Sequence, residues 1–317
     1  MSDHRTYWTQ LINSLFAKRV TTTRPPKRTT TTRPPKRTTT TKPPVKITTT
    51  IPPFFPLIEK INSDTIVRLQ NKNPLTDNFV YSLQDPYALK FTRNPSCWIN
   101  GANNISCFSP AQMSGSNWTQ RAGTLVTKKH IVYAKHFAIN ILPGGTPIIF
   151  VDNQNNVVVR KLISFATHVD KDIAIGLLNE EIPDNISIAK VLPPNYEQYL
   201  GFHKHFLVVG LDQEEKAILK ICNSIFDGSF STNDLSDRII ANLHPEFVQF
   251  ASFSEGIVVG DSGNPVFVII NNELVLLGCW FANFFGPHLG SLHDQVNAII
   301  ESLSPGEGFK LTSVDLK

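Results

Sequence analysis

Ile257-Val258-Val259-Gly260-Asp261-Ser262-Gly263-Asn264-Pro265-Val266-Phe267-Val268-Ile269-Ile270 is the stretch of this 317-residue chain from which the rest is best read. The apolar run Ile257–Val259 predicts a strand, and a turn with a glycine on each side then carries Ser262. Val266–Ile270, the pair Asn271-Asn272 and the run ending at Leu277 predict a hairpin. Glycines around a serine let the backbone turn sharply and let a carbonyl come close. The amides of Gly260 and Ser262 can then point at one developing oxyanion. At equal residue frequencies, a given string such as Gly-Asp-Ser-Gly arises by chance in about one chain of this length in 500.

Working outward, short β-type runs recur at Ile148–Val151, Val157–Leu162, Ile173–Leu178 and His205–Val209. Asp152–Asn156 separates two of them as a turn. Strands and helices do not alternate, which argues against a doubly wound parallel sheet. Leu292, Val296, Ile299, Ile300 and Leu303 have helical spacing, and Pro305 stops the run. Residues 54–317 therefore read as an antiparallel β domain closed by a C-terminal helix. Hydrophobic residues make up 41% of the chain, enough for a true core, yet no run reaches the ~18 apolar residues of a membrane-spanning helix.

A serine nucleophile needs a base. Gly123 to Phe137 reads as strand, turn, strand, with His136 where the second strand ends. Asp170-Lys171-Asp172-Ile173-Ala174-Ile175 places an acid just before an apolar strand. These stretches resemble the chymotrypsin/trypsin-like serine proteases. Val132-Tyr133-Ala134-Lys135-His136-Phe137 resembles the family's "TAAHC", Asp172 to Ile175 its "DIAL", and Gly260 to Pro265 its "GDSGGP" with one change. The order His, Asp, Ser is the same, and the resemblance covers roughly residues 95–305.

The resemblance implies an all-β fold of two antiparallel six-stranded β-barrels with a C-terminal helix. It implies a serine endopeptidase acting on polypeptides through an acyl-enzyme, with no cofactor and no metal. Ser262 would be the nucleophile, His136 the general base, Asp172 the group that orients the imidazole, and the Gly260 and Ser262 amides the oxyanion hole. Gly256, six residues before Ser262, would lie at the base of the specificity pocket, with Phe281, Ala282 and Asn283 in its wall. Gly256 carries no charge, and Glu255 is expected to face outward, since a buried unpaired carboxylate is costly. Small or medium uncharged side chains before the cut would suit that pocket. Two departures bear on regulation. Phe137 stands where the family usually has a cysteine. No Ile-Val-Gly-Gly stretch supplies the new terminus that pairs with the acid matching Asp261, so the partner of Asp261 stays open. The alternative reading is a catalytically inactive protease-like binding or structural module.

Other residues of the same types compete for these roles. His130 is six positions from His136 and fits a strand-end or surface role. Asp170 lacks the apolar strand at the offset that Asp172 has. His203-Lys204-His205 has no neighbouring acid or cysteine to complete a metal site. Trp280, Phe281, Phe284 and Phe285 suit either core packing or a pocket wall. Cys97 and Cys107 are near enough in sequence to bridge a hairpin, or they are separate thiols in a reduced compartment. Cys222 and Cys279 complete the set of four, and no CxxC pair occurs.

The N-terminal 53 residues differ from the body. They hold five Lys and six Arg against the single acid Asp3, leaving 19 bases and 25 acids for residues 54–317. Residues 21–53 repeat RPPKR at 24–28 and 33–37, degenerating to KPPVK at 42–46, among Thr tracts. Paired prolines favour an extended, disordered basic stalk, which also suits weak polyanion binding. In residues 1–20, Tyr7, Trp8, Leu11, Ile12, Leu15 and Phe16 form one helical stripe whose partner would be a membrane surface or an assembly. The segment lacks the apolar core and cleavage site of a secretory signal, so a cytoplasmic or assembly-packaged protein is expected.

Overall fold

A computed structural model describes residues 56–316 apart from 120–122, 138, 201–204 and 282–283. The expected amphipathic segment 1–20 and the stalk 21–53 lie outside these residues. The described chain is mostly β, with few helices. A short hairpin, β1 (Tyr81–Asp85) and β2 (Lys90–Arg93), precedes two larger sheets. The first sheet holds β3 (Ala111–Ser114), β4 (Asn117–Thr119), β5 (Thr124–Leu125), β6 (His130–Tyr133), β7 (Thr146–Val151), β8 (Val157–Thr167) and β9 (Ala174–Leu178). Its spatial order is β4-β3-β7-β8-β9-β6-β5, antiparallel throughout.

This sheet curls into a half-barrel for local reasons. The residues leading into β3 pair with the far edge strand, through Ser109 N to Gly123 O at 3.1 Å and Leu125 N to Cys107 O at 2.8 Å. A register shift in β8 between Leu162 and Ser164 bends the long strand. Val132, Ile149, Val151 and Ile175 face one side and are buried there, while Ile131, Tyr133, Ile148 and Phe150 are buried on the other. Strands buried on both faces carry continuous apolar runs, so their alternation was faint in the sequence.

The second sheet holds β10 (Lys190–Val191), β11 (Phe206–Leu211), β12 (Ala217–Phe226), β13 (Ser229–Asn233), β14 (Pro265–Ile270), β15 (Glu273–Cys279) and β16 (Phe285–Pro287). Its order is β10-β15-β14-β11-β12-β13-β16. Each of these sheets thus has seven strands, and the pairing does not show two full closed barrels. One pair is parallel: β10 runs alongside β15, with Lys190 opposite Val275. The reason is that β10 is a two-residue crossing strand. Its other edge is taken by the C-terminal tail, where Val191 N donates to Thr312 O and Val314 N to Val191 O, both at 2.9 Å.

Among the described residues there are four α-helices: α1 (Pro56–Leu69), α2 (Glu197–Leu200), α3 (Arg238–Leu243) and α4 (His293–Leu303). None is long and apolar enough to cross a membrane. The closing helix α4 lies where the spacing placed it, burying Val296 and Ile300. By contrast, α1 corrects the expectation of β runs from residue 54. Leu57, Ile61, Thr65 and Leu69, spaced by four, form its buried stripe. Asn62 and Asp64 tie it to the second sheet by accepting from Leu207 N at 2.8 Å and Asn271 N at 2.9 Å.

A second correction concerns Ile257–Val259, which is not a strand. Val258 and Val259 are 53% and 91% exposed, and Val258 N donates 2.7 Å to the Asp261 carboxylate instead of to a neighbouring strand. β11 begins at Phe206 rather than His205. The Asn271-Asn272 turn has both residues in the left-handed region, as a two-residue hairpin turn of the primed type requires.

Candidate functional site

His136 lies in a single 3₁₀ turn, Lys135–Phe137, entered from β6 and closed by Phe137 N donating to Ala134 O at 3.1 Å. Asp172 lies two residues ahead of β9. Because β6 and β9 pair with Tyr133 opposite Ala174, His136, three positions past Tyr133, and Asp172, two positions before Ala174, are brought together. Asp172 Oδ1 accepts from the His136 backbone N at 2.8 Å, and Asp172 Oδ2 makes a short hydrogen bond with His136 Nδ1. The carboxylate therefore fixes both the main chain and the ring, leaving Nε2 as the outward nitrogen. Lys135 Nζ donates to His168 O at 2.9 Å and pins the two loops together.

Ser262 is half-buried on a turn that the flanking glycines make possible. Gly260 has φ +120° and Gly263 has φ +92°, conformations that side chains resist. The turn is knitted to β15 by Gly263 N to Trp280 O at 2.7 Å and Trp280 N to Asn264 O at 3.0 Å. It rests against the strand end carrying His136: a Cβ on Gly263 would lie 3.6 Å from Ala134 N. No hydrogen bond joins Ser262 to His136 among the described residues.

The main-chain amides of this turn divide into two sets. Those of Asp261, Gly263 and Asn264 donate to carbonyls of Val258, Trp280 and Asp261. Those of Gly260 and Ser262 make no such bond among the described residues, so two donors two positions apart are unspent beside the serine. The neighbouring Asp261, whose partner the sequence left open, is fully buried. Its carboxylate accepts from the Val258 amide at 2.7 Å and the Gln213 amide at 3.0 Å.

The pocket residues are placed less completely. Gly256 is exposed, with open space where a Cβ would stand, and Phe281 is half-buried. Ala282 and Asn283 lie outside the described residues. Glu255 faces outward, its carboxylate 3.5 Å from Lys216 Nζ. Behind this loop lies a group the sequence did not disclose. Lys220 is fully buried, with its Nζ bound to Asp234 and to Glu255 O, 5.0 Å above the centre of the Phe284 ring. Burial lowers its pKa. It sits in an apolar strand, so no local pattern marks it as functional. Trp280 belongs to the core, whereas Phe285 is 43% exposed.

His136 also lines a cavity of about 680 Å³. Gln112, Trp118, Phe137, Asn140 and Gln213 line it together with residues of the β1–β2 hairpin. Sequence reading named none of these as site residues, because they come from separate segments that only the fold joins.

The other histidines near these segments have structural partners. His168 Nδ1 accepts from the amides of Asp170 and Lys171 at 3.1 and 3.0 Å. His205 Nδ1 lies 3.0 Å from His244 Nε2, while His203 and Lys204 are outside the described residues. His130 is fully buried, with Nδ1 at 2.8 Å from Thr127 Oγ1 and Nε2 at 3.2 Å from Ser304 Oγ. Burial pushes its pKa down to about 4. The folded value lies below the unfolded one of about 6.5, so neutral His130 supports the fold fully above pH 6.5. That support is lost as pH falls from about 6.5 toward about 4. Thermal melts from pH 7 to pH 4 should show wild type losing more of its melting temperature than His130→Gln. Parallel acid profiles would count against this role.

All four cysteines are buried, and none forms a disulfide among the described residues. Burial raises Cys97 to about 11 and pushes Cys107 and Cys279 higher still. A comparison with protein-family models finds no match to this chain, and neither does a comparison with curated proteins.

Proposed function

We propose that the protein is a serine endopeptidase of the chymotrypsin/trypsin-like kind, with the two seven-stranded sheets standing for that family's two barrels. One observation carries the reading: the hydrogen-bonded His136–Asp172 pair beside a Ser262 turn with two unspent amides. In this scheme Ser262 Oγ attacks the scissile carbonyl as His136 Nε2 takes its proton. The charge that develops on the carbonyl oxygen falls to the Gly260 and Ser262 amides. Asp172 holds the imidazole in the tautomer that leaves Nε2 free and stabilises its protonated form. Collapse releases the amine, which takes the proton from His136. Water activated by the same imidazole then hydrolyses the acyl-enzyme.

Nothing in the reaction as drawn calls on a metal or an organic cofactor. The test is labelling by a fluorophosphonate together with cleavage of an unstructured polypeptide. Labelling and cleavage by the wild type, both lost in Ser262→Ala, are the expected results. An unlabelled wild-type protein that cleaves nothing would favour a protease-like binding module. The missing Ser262–His136 hydrogen bond is the observation on that side.

A further inference from the structure

Gln213 belongs to no motif, yet two parts of it converge on the serine turn. Its backbone amide donates to the buried Asp261 carboxylate at 3.0 Å. Its side chain lies on Gly260: Oε1 is 2.1 Å and Nε2 3.1 Å from the point where a Cβ would stand there. The φ of +120° is what requires glycine at 260, and the absence of a Cβ there is what lets the Gln213 carboxamide lie so close. Gln213 also lines the cavity shared with His136.

The turn that presents Gln213 is held from behind. Asp212 Oδ1 accepts the amides of Glu214 and Lys216, each at 2.8 Å. Glu215 takes a left-handed conformation with φ of 59°, and its carbonyl accepts from Val80 N at 2.9 Å. The backbone that presents Gln213 is therefore held in place beside Gly260. The carboxamide itself makes no hydrogen bond among the described residues, so its contact with Gly260 is one of packing.

We infer that Gln213 is a positioning residue of the Ser262 site: its side chain packs on the Gly260 peptide and fixes where the Gly260 amide points. This rests on the serine-peptidase reading. A donor displaced by about 1 Å can cost on the order of 100-fold in rate. Shape, not hydrogen bonding, is the property at work, so methionine should substitute for glutamine.

The experiment compares wild type, Gln213→Ala, Gln213→Met and Ser262→Ala on one unstructured polypeptide. Amide hydrogen exchange over residues 258–264 is followed in parallel. Gln213→Ala should lower kcat about 10- to 100-fold with KM within about twofold. Gln213→Met should return kcat to within about threefold. Exchange of the Asp261 and Asn264 amides should quicken about tenfold in Gln213→Ala and not in Gln213→Met. Unchanged kcat in Gln213→Ala, a change in KM alone, or Gln213→Met as poor as Gln213→Ala would each overturn the inference. If wild type cleaves nothing, the peptidase reading fails by itself. Exchange then decides the positioning role, and unchanged exchange overturns it.

Discussion

Replacing His136 by alanine is expected to lower turnover on a polypeptide substrate by about 10⁴- to 10⁶-fold, with Ser262→Ala costing as much and the double variant no more. The non-additivity is the informative part. Once the imidazole is gone the serine hydroxyl has no base, so removing it as well takes away nothing that was working. Asp172 allows a finer dissection, because its two oxygens hold different atoms. Asp172→Asn can keep the 2.8 Å bond from the His136 backbone N through its remaining oxygen. Its amide N–H then faces Nδ1, which favours the tautomer with the proton on Nε2, the wrong one for a base. A drop on the order of 10⁴-fold in kcat is expected, with the melting temperature near that of wild type. Asp172→Ala would lose both bonds and should also loosen the 135–137 turn. Full activity in His136→Ala would sink the assignment, since His130 is buried and engaged at both nitrogens.

What the sequence disclosed follows from the range of the forces involved. The hairpin after Ser262 and helix α4 were legible because apolar period and turn chemistry are local signals. The glycines around Ser262 were legible because a sharp turn restricts residue type at the turn itself. Helix α1 was missed because its buried stripe, Leu57, Ile61, Thr65 and Leu69, includes a threonine and follows directly on a Pro-rich tract. Ile257–Val259 read as a strand by composition, but a strand needs a partner edge, and the Asp261 carboxylate takes the Val258 amide instead. Lys220 and Gln213 were illegible for a third reason. Each acts through residues more than a dozen positions away, and no local periodicity records such contacts. The division of the turn's amides into spent and unspent sets is likewise a property of the folded turn, two bonds closing within it and one reaching Trp280 across the hairpin.

The largest stability effect should come from Trp280, which joins the core to the serine turn. Its ring is fully buried, stacks edge-on against Phe230 at 5.9 Å, and donates through Nε1 to Leu211 O at 3.2 Å. Its main chain makes the two bonds that hold Gly263 and Asn264. Trp280→Ala should therefore cost about 3–5 kcal/mol, because a cavity of indole size cannot close and the Leu211 carbonyl loses its donor. Denaturant unfolding would measure it, and a loss under about 1 kcal/mol would show that the ring is not a core element. Gly210 supplies the control. A Cβ there would lie 2.5 Å from Trp280 Cζ2 and 3.0 Å from Nε1, so Gly210→Ala should be destabilising by overpacking, by about 1–3 kcal/mol. In the Trp280→Ala background the same methyl enters vacated space and should cost little or even restore stability. That difference is a coupling between two residues in contact, and distant sites would give simple additivity. On the proposed peptidase reading, activity should follow the same order, since a shift of Trp280, just after β15, moves the two hydrogen bonds that fix the turn bearing Ser262.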